Sequence, residues 1–217
     1  MNRLLVALFL PVLLAGCVQA PKKDLSAFIQ AHPKSILVVP VVNKTLDVDA
    51  PSYFLATISK PLASKGYYVF PVNAVKEVME RDGMNDADMV HAADPTRLGE
   101  LFGADAILYV TINRWDAKYA LLTTTVTVDF SYQIKDGETG QSLWDDKRVI
   151  VYQPQNNNSS GNPIADLIGM AINAAITKAA PNYIPLAQQA NALTVQSLPD
   201  GPYAPATKSG SGSAIQY

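Results

Sequence analysis

Few side chains in this 217-residue sequence have the type and spacing that chemistry asks for. His32 and His91 are its two histidines, and Cys17 is its one thiol. A zinc site takes a full set of nitrogen or sulfur donors, which these residues do not supply at ligand spacing. Met79, Met84 and Met89 approach His91 in sequence, and thioethers with imidazole form the donor set of copper(I). The simpler reading puts Met79 in a helix core and the other two on a loop. Glu80, Asp82, Asn85, Asp86 and Asp88 make an acidic stretch that could attract calcium. It lacks the EF-hand spacing and the closing bidentate glutamate, so it reads as a solvated face. Asp145 and Asp146 are paired carboxylates, but adjacent strand residues point to opposite faces and cannot share one acid–base site. Trp115, Tyr119 and Trp144 could line a ligand groove, or cover a sheet as aromatic residues usually do. No G-x-S-x-G elbow, phosphate loop or G-x-G-x-x-G turn occurs. The expectation is no catalytic residue, no metal site and no cofactor, and hence not an enzyme.

Cys17 has a different setting. Arg3 gives a short positive start, and Leu4 to Leu14 is an apolar run interrupted only by Pro11. Crossing a bilayer takes roughly 20 apolar residues, so the run fits the apolar part of an export signal. It ends in Leu14-Ala15-Gly16-Cys17, which resembles the lipobox of bacterial lipoproteins. The resemblance implies cleavage before Cys17 and a diacylglyceryl group on its sulfur. Acyl chains contribute about 0.8 kcal/mol per buried methylene, so two or three of them hold a protein almost permanently. As the sole cysteine, Cys17 leaves no internal disulfide to form. Val18 rather than Asp follows it, which in lipoprotein sorting implies the outer membrane, lipid-anchored on the periplasmic side. A net charge of −2 with no basic run gives no footprint for nucleic acid.

The folded part must then lie downstream of a short tether, 17–24, and its length suits one domain with a good core. Ile36 to Val42 is a continuous apolar run, expected as a buried central strand with a bulge or strand end at Pro40. Pro51 to Lys65 is expected as a helix burying Tyr53 or Phe54, Ile58 and Leu62 and closed by Gly66. Tyr67 to Phe70 reads as a strand. Asn73 is expected to cap a helix to Arg81 carrying Val75, Val78 and Met79. Asp94-Pro95 opens another helix, with Leu98, Leu101 and Phe102, that stops at Gly103. Ala106 to Ile112 is a strand, and Thr125 to Ile134 alternates strictly as a strand with one wet face. Asp136-Gly137 and Thr139-Gly140 supply a turn into a partner strand, Leu143 to Tyr152. Asn162-Pro163 starts a helix with Ile164, Leu167, Ile168, Ala171, Ile172, Ala175 and Ile176 at helical spacing, and Ala171, Ala175 and Ala179 form a small-residue line along it. A shorter helix follows, from Asn182 to about Leu193. Strands alternating with helices indicate an α/β or α+β domain, a mixed sheet flanked by helices. The expected organisation is signal 1–16, tether 17–24, single domain 25–193 and mobile tail 194–217.

Three segments carry a family resemblance. Leu101-Phe102-Gly103-Ala104-Asp105-Ala106-Ile107-Leu108 resembles an element of the TolB N-terminal domain and of CsgG-like lipoproteins. Asp136 to Trp144, reading D-G-E-T-G-Q-S-L-W, resembles the hairpin of the same fold group. Leu198-Pro199-Asp200-Gly201-Pro202-Tyr203 resembles a narrower family of bacterial lipoproteins of unknown function, whose neisserial member is a surface-antigen candidate. Together they imply a TolB-N-terminal-like domain in an envelope complex, with an envelope lipoprotein (CsgG-like) or further copies of itself as partner. The implied role is a noncatalytic scaffold or accessory subunit of an assembly or transport complex. The alternative is a lipoprotein binding a small ligand, peptide or glycan. The chain departs from pore-forming relatives in having no evident long amphipathic strand pairs of transmembrane length.

Overall fold

The computed structural model describes residues 23–120, 123–152, 169–170, 172 and 183–205. Its centre is one mixed six-stranded sheet. The strands are β1 Ser35–Val38, β2 Val42–Asn43, β3 Tyr68–Val69, β4 Ala106–Ala120, β5 Thr123–Asp136 and β6 Ser142–Tyr152. The order is β3-β1-β4-β5-β6, with β2 also on β4. β1 lies parallel to β3 and β4, while β4, β5 and β6 form an antiparallel meander. The Ile36–Val42 run is interrupted where its proline predicts. The Val39 N–H still donates to Leu108 O at 3.2 Å, Pro40 has no N–H to offer, and pairing resumes at Val42 opposite Thr111. One apolar run thus becomes two short strands on the same neighbour.

Six helices are described: α1 Ser26–Ala31, α2 Ala50–Ser64, α3 Val72–Arg81, α4 Ala87–Ala92, α5 Pro95–Phe102 and α6 Ile184–Val195. They cover the two faces unequally. On one face Phe28, Phe54, Ile58, Leu62, Leu186 and Ala190 pack on Ile36, Leu108, Val110, Ile112, Val128, Phe130 and Tyr132. On the other, Val75, Met79, Val90 and Leu98 cover Leu37, Val39, Ile107 and Tyr109. β1 is therefore buried on both sides, as a continuous apolar strand must be. Each fully buried Leu, Ile or Phe contributes about 1.5–3 kcal/mol, so these two layers supply most of the drive to fold.

Several local expectations need correction. Asn73 lies inside α3, whose N-cap is Pro71, and Val78 is exposed rather than inward. The stretch around Met84 to His91 is not a loop throughout. Asp86 accepts the N–H groups of Asp88 and Met89 and so caps α4. Asp94 does the same for Thr96 at the start of α5, and Gly103 at φ 65° ends it, as read. β4 runs on to Ala120, and together β4 and β5 are long enough to cross a bilayer as strands. Their apolar face, however, is already occupied: Trp115, Val126, Val128 and Phe130 are buried in the helix-covered core. The helix expected from Pro163 lies mostly outside the described residues, although Ile172 is buried in that same core.

Candidate functional site

Two of the three resemblance-bearing segments, read separately in the sequence, meet in space. Asp105, at the entry to β4, reaches across the sheet to the start of β1. Its Oδ2 accepts the N–H groups of Lys34 and Ser35 and the Ser35 hydroxyl, each at 2.9 Å, while the Asp105 N–H donates to Ser35 Oγ at 3.0 Å. The Asp105 carbonyl accepts the Gly137 N–H at 2.7 Å, which brings the hairpin turn onto the helix–strand junction. Only glycine fits there. A Cβ on Gly137 would stand 2.1 Å from Ala104 O, and one on Gly99 would stand 2.2 Å from Gly137 O. Within the turn, Asp136 Oδ1 accepts from the N–H groups of Glu138 and Thr139 and from the Thr139 hydroxyl.

The third segment closes on the far edge of the same sheet. The Gly201 N–H donates to Lys65 O at 2.7 Å, and the Tyr203 N–H donates to Gly66 O at 2.9 Å. The Tyr67 hydroxyl donates to Pro199 O at 2.8 Å, and Lys65 pairs with Asp200 at 2.9 Å. Burial pushes the Tyr67 phenol well above its ordinary range, with the Asp200 charge adding to it. A mobile tail beginning at 194 is thus incorrect: α6 continues to Val195, Leu198 is buried, and residues 199–204 are bound to the end of α2.

The residues singled out for chemistry are dispersed. His91 Nε2 donates to Pro40 O at 3.0 Å, using the acceptor at the break between β1 and β2. Its ring stands edge-on to Tyr109 at 5.2 Å. Burial lowers its basicity below the ordinary histidine value; the Pro40 hydrogen bond and Asp88 oppose this, and Lys135 adds to it. Met79 is fully buried while Met89 is mostly exposed. His32 takes a left-handed backbone, with its N–H donated to Phe28 O, and ends α1. Asp145 pairs with Lys23 on one side of β6 and Asp146 with Arg148 on the other, so the two carboxylates diverge as strand geometry requires. Trp115 and Trp144 are core residues; Trp115 stacks on Tyr53 at 6.0 Å. Tyr119 lies on β4, and its side chain is outside the described residues, as is Cys17.

Sequence reasoning missed two features. Asn191 on α6 is completely buried, accepting from the Tyr132 hydroxyl at 3.0 Å and donating to Thr57 Oγ1 at 2.9 Å. This joins α2 and α6 to β5. Beside it, α2 and α6 leave a groove of about 490 Å³ between Ala56, Thr57, Pro61, Ala192 and Val195. A polar residue within an apolar helical stripe is the signal for Asn191. The groove had none, because its walls lie far apart in the chain.

Known proteins share this fold. The family described as "Putative lipoprotein GNA1162-like" matches residues 23–201. A Neisseria meningitidis serogroup B protein, "Putative lipoprotein NMB1124/NMB1162", is 33% identical over 182 residues, which span 83% of this chain and 82% of that one. The crystal structure of lipoprotein GNA1162 from Neisseria meningitidis superposes with a TM-score of 0.55 at 36% identity, covering 65% of this chain and 97% of the other. A dodecamer of PelC from Paraburkholderia phytofirmans has the same fold at a TM-score of 0.50 and 12% identity, over 82% of this chain and 93% of its own.

Proposed function

This chain belongs to the GNA1162-like lipoprotein family, and on that footing we propose that it is a noncatalytic outer-membrane lipoprotein facing the periplasm. Diacylglyceryl on Cys17 holds it there, and it serves as a scaffold or accessory subunit of an envelope assembly or transport complex. Its partner is a second envelope lipoprotein or further copies of itself. The observation that carries this reading is how the resemblance-bearing residues are used. Asp105, Asp136, Gly137 and Gly201 commit their hydrogen bonds, or their lack of a side chain, to locking strands, turn and C-terminal segment together. They build a rigid body, which is what a scaffold requires.

Replacing Cys17 by Ser tests the anchor. Labelling by a fatty-acid probe is expected to vanish, and the protein to leave the membrane fraction or stay uncleaved; a variant that still labels overturns the assignment. Crosslinking in intact cells, followed by identification of what is bound, tests the scaffold role. The second reading, a lipoprotein that binds a small ligand, peptide or glycan, draws support from the α2–α6 groove, whose size is within the range of ligand pockets.

A further inference from the structure

Two features of the surface each have what the other needs. The loop between β2 and α2 exposes Leu46 fully, at 102%, and Val48 at 84%. It is nevertheless ordered by its own side chains. Asn43 Oδ1 accepts the Thr45 N–H at 3.1 Å and the Thr45 hydroxyl at 2.8 Å, while Asn43 Nδ2 donates to Asp47 O at 2.8 Å. Thr45 Oγ1 accepts the Asp47 N–H at 3.2 Å, and Asp47 Oδ1 accepts the Asp49 N–H at 2.9 Å. The result is a preorganised apolar knob in which Leu46 and Val48 alternate with Asp47 and Asp49. A loop already held in one conformation lowers the ordering cost of docking.

The groove between α2 and α6 is the complement. Small and apolar groups, Ala56, Pro61, Ala192 and Val195, form its walls, and Lys60 stands on its rim. Lys60 makes no ion pair among the described residues, whereas Lys65 at one end is already paired with Asp200. A hollow of about 490 Å³ has room for two aliphatic side chains, and its rim is cationic where the knob is anionic.

We infer that Leu46 and Val48 of one molecule seat in the α2–α6 groove of a second copy of this chain, with Asp47 and Asp49 facing Lys60. The knob precedes α2 and the groove lies along its C-terminal half, so the two surfaces stand about 15 Å apart on one molecule. A contact repeated in one direction from copy to copy is head-to-tail. Two copies leave one knob and one groove unfilled, and the association continues as a ring or an open row. A tether over 17–24, reaching at most about 25 Å, lets neighbouring copies take up the offset by tilting. The purpose of such an array rests on the scaffold reading, but its geometry does not.

The test uses full-length protein in its own membrane, with cysteines placed at exposed positions and a short bis-maleimide added. Leu46→Cys alone and Ala192→Cys alone are expected to stay monomeric. Coexpressed, they are expected to give a crosslinked dimer, and the double variant a ladder of dimers, trimers and larger species. Lys60→Glu in the double variant should weaken the ladder at least fivefold, and adding Asp47→Lys and Asp49→Lys should restore it to within twofold. No ladder from the double variant, or a dimer from Leu46→Cys alone, overturns the inference. So does crosslinking only to a protein of another mass, or protection of Ala192→Cys by a small molecule with no dimer formed. Because Cys17 labelling is read separately, loss of the ladder with labelling intact removes this contact and leaves the anchor standing.

Discussion

The two ends of the β4–β5–β6 meander are built from the same three strands but live in different surroundings. At the end near Ala106, helices cover both faces: Ala106, Leu108 and Val110 pack toward α2 and α6, while Ile107 and Tyr109 pack toward α3, α4 and α5. Among the described residues, the second layer stops beyond Ile112. A register shift between Ile112 and Arg114 marks the boundary, and the uncovered face turns polar. There Asn113 Nδ2 donates to Asp129 Oδ1 at 3.2 Å and to Ser131 Oγ at 2.7 Å, and Lys147 stands 3.4 Å from Asp129. The covered face continues unchanged through Trp115, Val128 and Phe130. A strand's side-chain pattern thus records which of its faces has cover, residue by residue, and changes where the cover ends.

The comparison can be broken or sharpened by mutation. The largest effect is expected at Phe130, on the face that both ends share. Phe130→Ala should cost about 3–5 kcal/mol in chemical denaturation; a loss below about 1 kcal/mol would show that the far end is an independent hairpin. Next comes the lock at the covered end. Gly137→Ala forces a methyl group against Ala104 O and should cost about 1–3 kcal/mol. If it is neutral, the turn and the helix–strand junction are not rigidly joined.

A smaller, pH-dependent effect belongs to His91, under the second layer. Its folded form binds the proton less readily than the unfolded chain, whose ordinary value is 6.5. Stability from this group is therefore full above that value and declines as pH falls below it, because the unfolded chain takes up the proton first. His91→Gln, which can still donate to Pro40 O, should flatten that acid limb of the stability–pH curve. An unchanged slope would assign the limb to other groups. The smallest effect is expected at Thr127 on the uncovered face, where Thr127→Ala should shift stability by no more than about 0.5 kcal/mol. A larger loss would mean that this face has cover of its own.

Strong local signals made part of this architecture legible. The Ile36–Val42 run, the Asp94-Pro95 start, the Gly103 stop and the Thr125–Ile134 alternation each carry enough pattern to name an element. α1 and α4 are six residues each, too short for a helical period to declare itself. β4 was underestimated beyond Ile112 because Asn113 and Arg114 break the alternation at the register shift. Val78 has the spacing of a core residue, but α3 buries only a narrow stripe with Val75 and Met79. The sequence shows that Asp105 and Gly137 occur in recognisable segments. It cannot show that one peptide hydrogen bond joins them, since that contact depends on the whole sheet closing. The same holds for the groove, whose walls come from opposite ends of the domain.

Lys23 lies against β6, 3.6 Å from Asp145 and with its ammonium 4.7 Å above the Trp144 ring. Trp144 stands opposite Ile134, which is opposite Leu108, so this is the covered, locked end of the sheet. An acyl group on Cys17, six residues upstream, would keep that end within about 20 Å of the lipid headgroups. β4, fifteen residues long, spans about 50 Å from that end of the sheet. The polar face beyond Ile112 thus lies toward the end of β4 remote from Lys23, so a partner that meets it does so far along the sheet from where the chain leading to Cys17 docks.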